Sequence, residues 1–225
     1  MYLFVTGLQS VIFAAVAAGL IFGLAGRWDL WNVWVYVGIL LALSLFRDLV
    51  MYRKSPDLLK ERLKPASGGR DGKLLIIFVG ALVLFLLHWS VAGLDQRFHW
   101  SDHIPLVGVV AGLAIVAIGV GFGIWPMLVN PFFSTAVRIQ SDRGQQVITS
   151  GPYAIVRHPG YAGFVLALVA SGMALNSLLS IIPAVIMVAV VARRTAIEDR
   201  MLQNELAGYP DYSAKVRFRL IPGVW

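Results

Sequence analysis

The sequence contains no cysteine. Disulfide scaffolding, thiolate catalysis and Cys-ligated zinc are excluded with it. Charge is scarce as well: 14% of the residues are Asp, Glu, Lys or Arg, against roughly 25% in a soluble domain. Charged residues are missing altogether from 1–26, 30–46, 74–94, 103–137 and 159–192. Most of these runs reach the roughly 20 apolar residues that a helix needs to cross about 30 Å of hydrocarbon, and 30–46 is slightly short. The short alternating segments of a β-barrel are absent too. Backbone amides find no water in lipid, so the uncharged runs are expected to be helices.

What is present is 58% hydrophobic in a chain of 225 residues. The first apolar run has no basic segment before it and no small-residue cleavage pattern after it, and it reads as a retained span rather than a signal peptide. Spans are expected at 3–25, 30–50, 74–94 and 104–128, the last closed by Pro126 and Pro131. Trp28, Trp31 and Trp34 suit an interfacial belt. Lys54-Ser-Pro-Asp57 starts a short amphipathic helix carrying Leu58, Leu59 and Leu63 on one face, and Ala66-Ser-Gly-Gly69 reads as a flexible link. The 34 residues of 159–192 are too long for one span. Asn176-Ser177 divides them into two short antiparallel helices, 159–175 and 178–193, each about 25 Å long.

The net charge of +7 could suggest nucleic acid, but in a membrane protein loop bias and anionic headgroups account for it, and no nucleic-acid partner is expected. Of 19 basic residues, 16 fall in 53–73, 127–158 and 193–225, while only Arg27 and Arg97 lie in the opposite loops and Arg47 lies within the second span. The positive-inside rule then places both termini and the large polar segments in the cytoplasm. The expected fold is an all-α, polytopic bundle of about six membrane helices, N-in and C-in, ending in a short helical hairpin. Residues 1–128 form four N-terminal spans and 129–225 the catalytic region. The expected setting is a bacterial inner membrane (an endomembrane in a eukaryote), with the site facing the cytoplasm.

Two cytoplasmic segments carry unusual content. In Ser150-Gly-Pro-Tyr-Ala-Ile-Val-Arg-His-Pro-Gly-Tyr161, Pro152 and Pro159 stop a helix from running through. They hold Arg157, His158 and Tyr161 at the mouth of the hairpin. The blander reading is a snorkelling Arg and a belt Tyr. In Arg193-Arg-Thr-Ala-Ile-Glu-Asp-Arg200 a helix leaves the membrane with Arg194 and Glu198 spaced to pair. Glu198 and Asp199 point roughly 100° apart, so they are no catalytic dyad. The alternative here is a plain cap of ion pairs. Glu205, Tyr209, Tyr212, Arg217 and Arg219 follow. A pocket with both signs of charge suits a zwitterionic cofactor better than a simple anion.

At these residues the chain resembles the isoprenylcysteine carboxyl methyltransferase family, which is grouped with the phospholipid methyltransferases. SGPYAIVRHPGYAG, a hydrophobic hairpin and RRTAIEDRMLQNELAGYPDYSAKVRFRLIP carry the likeness, over about 130–225; the first hundred residues match only in being membrane helices. The resemblance implies S-adenosylmethionine (SAM) as methyl donor, held by Tyr153, His158, Pro159 and Tyr161 with Glu198 and Asp199. It gives Arg157, His158, Tyr161 and Arg194 roles at the reacting centre. Gly121-Phe-Gly123 resembles the Gly-x-Gly cofactor element of the phospholipid branch, although such a pair more often packs helices. Two departures stand out: Asp199 where Glu is usual, and Leu-Ala-Gly-Tyr where Phe-Gly usually precedes a spaced Tyr.

Methyl transfer from a sulfonium is an in-line displacement, so alignment and exclusion of water are the protein's main tasks. Glu198 and Asp199 are expected on the ribose or amino group, and Arg157 or Arg194 on a carboxylate of cofactor or acceptor. A carboxylate acceptor needs no base, whereas an amine or thiol would call on His158 or Tyr161. The lipophilic acceptor is expected to arrive sideways from the bilayer, between the hairpin and the fourth span. Prenylcysteine, a phospholipid amine, a small thiol and a quinone-like lipid all remain open, and no metal is called for. An NADPH-dependent sterol-reductase-like enzyme would need a larger bundle and more basic residues for the 2′-phosphate. A transporter would place ionisable groups at mid-membrane, where only His88 stands, read as a satisfied buried imidazole. Besides the acceptor, membrane lipids are the only expected partners; the sequence assigns no oligomeric state.

Overall fold

The computed structural model describes residues 1–63, 72–134 and 138–225, with backbone alone over 72–78. The expected link at 66–69 lies outside them, as does Lys64. All regular structure among the described residues is helical: α1 (Tyr2–Ala25), α2 (Trp31–Lys54), α3 (Pro56–Leu63), α4 (Gly72–Phe98), α5 (Leu106–Val129), α6 (Pro159–Ala174), α7 (Ile181–Glu205) and α8 (Tyr209–Lys215). Four helices are long and apolar enough to cross a membrane, at Tyr2–Ala25, Trp31–Lys54, Val79–Phe98 and Leu106–Val129; α6 is a shorter apolar helix. The α1–α2 turn closes on Gly26, whose φ of 71° lets its N–H reach the Phe22 carbonyl, a backbone state that costs glycine little. Pro126, expected to close the fourth span, instead lies inside α5. Asn130 N–H still bonds to the Pro126 carbonyl at 3.0 Å; the ring forfeits only its own donor, one turn before the helix ends.

The core joins Ala17 and Ile21 of α1, Val33 of α2, Trp89 of α4, Val116 of α5 and Ala174 of α6. The expected hairpin of α6 and α7 meets through Val165, Leu168, Ala184 and Met187, but the backbone approach that defines α6 is to α5. A Cβ added to Gly119 would lie 2.6 Å from Ala167 N and 2.8 Å from Gly163 O. One on Gly112 would lie 2.5 Å from Ala174 N. This seam of small residues brings the two backbones into direct contact, the main source of helix attraction in lipid.

The α6–α7 turn is held by polar groups from other helices. Asn32 Nδ2 donates to Ala174 O at 2.9 Å, and Gln96 Nε2 to Leu175 O at 2.8 Å and Asn176 O at 2.9 Å. These are carbonyls that the end of a helix leaves without partners. Asp95 accepts from Ser101 N at 2.8 Å and from Ser177 Oγ at 2.5 Å. His88, fully buried, bridges Ser180 O at 2.7 Å and Ser171 Oγ at 2.8 Å, and is the satisfied imidazole expected. α6 can therefore stop after 16 residues without stranding its backbone in an apolar setting.

Candidate functional site

Three segments meet at the other end of α6. After the 3₁₀ turn Gly151–Ala154, the chain runs beside the C-terminal tail. Arg157 N–H bonds to Phe218 O and His158 N–H to Arg219 O, both at 2.9 Å. Pro159 then opens α6 at a position that has no use for an N–H.

Asp199, fully buried, is the hub. One of its oxygens accepts from Arg157 Nε at 2.8 Å, Tyr209 Oη at 2.8 Å and His158 Nε2 at 3.1 Å. The other accepts from Arg157 at 3.0 Å, Arg219 Nε at 2.8 Å and Gln203 Nε2 at 3.1 Å. The forked Arg157 pair is the geometry in which a guanidinium binds carboxylate best. Burial by itself would raise the Asp199 pKa; the donors, His158 and Arg157 foremost, outweigh it and hold the carboxyl well below the usual range. Burial and the neighbouring carboxylate push Tyr209 above its ordinary value, so it stays a donor. The remaining Arg157 nitrogen reaches Val216 O at 2.9 Å and Arg217 O at 2.8 Å, tying the tail down.

Glu198 is placed differently. Its side chain is 27% exposed and one oxygen lies 4.0 Å from His158 Nδ1. The other accepts from Tyr161 Oη at 2.8 Å. Tyr161 in turn accepts from Arg194 Nε at 2.8 Å, and the guanidinium lies 5.8 Å from its ring centre. The i, i+4 relation expected of Arg194 and Glu198 thus passes through a phenol of α6. On the outer side, Tyr212 Oη donates to Tyr153 O at 2.7 Å, and Asn130 Nδ2 donates to Tyr153 Oη at 2.8 Å. Tyr153, Leu206, Tyr209 and Tyr212 form a small core under the tail.

The structure therefore brings Tyr153, Arg157, His158, Pro159, Tyr161, Arg194, Glu198 and Asp199 to one end of the bundle. Gly123 lies in the α5–α6 seam, its added Cβ 3.5 Å from Gly160 O, whereas a Cβ on Gly121 would meet nothing within 4 Å. Among the described residues no group of three or more His, Cys, Asp or Glu could hold a metal. Sequence reasoning missed Asn130 and Gln203, and did not connect Arg219 to Asp199. Gln203 has a signal, one helical turn after Asp199; the others come from distant chain and have none.

The chemistry available is that of a rim with a partly exposed carboxylate, a phenol and a guanidinium, backed by a saturated buried carboxylate. No curated protein sequence matches this chain. Among solved structures, one of the eukaryotic intramembrane Ras methyltransferase ICMT (isoprenylcysteine carboxyl methyltransferase) is similar at 20% identity and a TM-score of 0.49, covering 94% of this chain and 74% of that one. The profile of the isoprenylcysteine carboxyl methyltransferase family matches residues 112–204, from the α5–α6 seam through the Arg157 turn to Glu198 and Asp199. Through that region the chain is similar to the isoprenylcysteine carboxyl methyltransferase family.

Proposed function

We propose that this protein transfers a methyl group from SAM to a carboxylate of a lipophilic, prenylcysteine-like acceptor, at a site on the cytoplasmic side of the membrane. The observation that carries the reading is the position of Glu198. It is the acidic group of the motif that keeps exposed surface, and it stands beside a cation and a phenol, where a zwitterion's ammonium and carboxylate both find partners. The residues fit the cofactor in that sense: Glu198 takes a ribose hydroxyl or the amino group, Arg194 a carboxylate, and His158 and Tyr161 line the space between. Asp199, with both oxygens engaged by protein donors, acts as the positioning group behind them. Gly121 and Gly123 are assigned to the helix, Gly123 to packing.

The cofactor supplies a methyl already activated by a positive sulfur, and the electron pair of the broken bond returns to that sulfur. A carboxylate acceptor loses no proton, so no residue has to act as base. The protein's contribution is alignment, which lowers the barrier by several kcal/mol, on the order of an intramolecular advantage. The tail that caps Arg157 and His158 keeps water out.

Calorimetry with S-adenosylhomocysteine on the purified protein in detergent tests this. Binding by the wild type is expected, weakened at least about tenfold by Glu198→Ala, which is about 1.4 kcal/mol. No binding by the wild type, with NADPH bound instead, would replace the reading with a sterol-reductase-like one.

A further inference from the structure

Beyond α8 the tail folds onto itself around Trp225. The N–H groups of Arg219, Leu220 and Ile221 all bond to the Trp225 main-chain oxygen, at 2.9, 3.0 and 3.2 Å. Those of Val224 and Trp225 both return to Ile221 O at 3.1 Å. Gly223, at φ 80°, supplies the left-handed residue that so tight a return needs. Leu220 is buried and anchors the loop. The loop thus carries its own backbone bonds, and the positions of Arg219 and Trp225 are set together.

Arg219 touches the site twice. Its Nε donates to Asp199 at 2.8 Å, and its carbonyl accepts from His158 N–H at 2.9 Å. His158 closes the triangle, because its Nε2 lies 3.1 Å from the same Asp199. The other ring nitrogen, Nδ1, is 4.0 Å from Glu198. Yet the Arg219 side chain is 32% exposed, and a long side chain held in one rotamer there gives up much conformational freedom. It also shares its carboxylate with Arg157, so two cations depend on one anion. The Trp225 ring offsets both costs. The Arg219 guanidinium lies 5.1 Å from its centre, within the range of cation–π attraction. That contact restrains the rotamer and gives the second cation an electron-rich face. We propose that Trp225 is a positioning residue of the site. By stacking on Arg219 it keeps that guanidinium on Asp199 and, through the Arg219 carbonyl, keeps His158 in place beside Glu198.

The test is a graded series in the purified protein in detergent: Trp225→Tyr, Trp225→Phe and Trp225→Leu. Amide hydrogen exchange is read, without ligand, on the peptide that contains the Arg157 and His158 N–H groups. Attraction for a cation is strongest at Trp, weaker at Tyr and Phe and absent at Leu, although all of these side chains are bulky. Exchange should quicken along the series, by at least about threefold at Leu, the size of one such contact at a half-open position. S-adenosylhomocysteine affinity should fall in the same order, with KM for SAM rising at little-changed kcat. A site that is ordered for less of the time binds more weakly by that fraction. Arg219→Gln removes the cation but keeps a donor, and in that background Trp225→Leu should add no further change. Val224→Ala, in the same loop with its side chain 76% exposed, should behave as the wild type. Should Trp225→Leu not fold, Trp225→Tyr and Trp225→Phe still carry the gradient. Phe and Leu variants that exchange alike, an undiminished Trp225→Leu effect beside Arg219→Gln, or S-adenosylhomocysteine bound equally well across the series overturns the proposal. The affinity and KM readings rest on the proposed methyl transfer and the exchange reading does not. A wild type that fails to bind S-adenosylhomocysteine while the exchange series holds therefore removes the enzymatic reading and leaves the positioning of His158 standing.

Discussion

Tyr161 shows how one hydroxyl can decide what a neighbouring ion pair is free to do. Arg194 and Glu198 are four residues apart on α7, and such pairs close on each other when nothing intervenes. Here the Tyr161 hydroxyl accepts from one and donates to the other, both at 2.8 Å. Tyr161→Phe should let the pair close, taking Glu198 from the cofactor role proposed for it. The expected result is a severalfold higher KM for SAM with kcat changed less, and stability lowered by no more than about 1 kcal/mol. Equal losses in kcat and kcat/KM would instead place the hydroxyl at the transferring methyl. Asp199 is the opposite case. Asp199→Asn leaves Arg157 buried beside a neutral amide, and about 3–5 kcal/mol of stability should be lost, read by thermal unfolding with and without S-adenosylhomocysteine. Asp199→Glu, although closer to the usual family residue, pushes an extra methylene into a pocket whose donors already fit, and should cost about 1–3 kcal/mol.

At the scale of elements, the α5–α6 seam separates glycines that look alike in sequence. Gly119→Val or Gly163→Val drives a branched side chain into opposing backbone and should lower Tm in detergent sharply or abolish folding. Gly121→Ala has open space before it and should be neutral or stabilising, by up to about 1 kcal/mol. The Gly-x-Gly pattern thus contains one residue that packs and one that does not, which the spacing of the letters cannot reveal. The α6–α7 turn depends on side chains more than 70 residues away in sequence, Gln96 to Leu175 among them. Gln96→Leu should therefore destabilise the C-terminal helices although it lies outside the matched family region, because the carbonyls it serves would be left unpaired.

For the molecule as a whole, the pH range of the polar cap around Asp199 follows from groups whose ionisation folding alters. Asp199 has a depressed folded pKa. Its contribution is complete above the unfolded carboxylate value of about 4 and is lost only as pH falls through the lower folded value. S-adenosylhomocysteine affinity should consequently not fall through loss of this carboxylate between pH 7 and 5. Tyr209, Tyr212 and Tyr153 are shifted the other way, chiefly by burial. Their contribution is full below the ordinary phenol value of about 10 and declines as pH rises through the raised folded values. Alkaline titration should show phenolate absorbance appearing together with unfolding of the tail, and Tyr209→Phe should weaken that coupling.

The membrane helices were legible in the chain itself, because lipid offers the backbone no partner and every long uncharged run must bond internally; α1, α2, α4 and α5 fall close to the runs that announced them. The Arg157–Tyr161 turn was legible too, since its prolines impose local geometry whatever surrounds them. Only the tertiary structure decided the rest. It made α5 rather than α7 the intimate neighbour of α6, and divided the adjacent Glu198 and Asp199 into a rim group and a buried hub. Those outcomes depend on which backbones can touch and how many donors converge on one carboxylate. Both are set by residues far apart in the chain, and no local pattern encodes them.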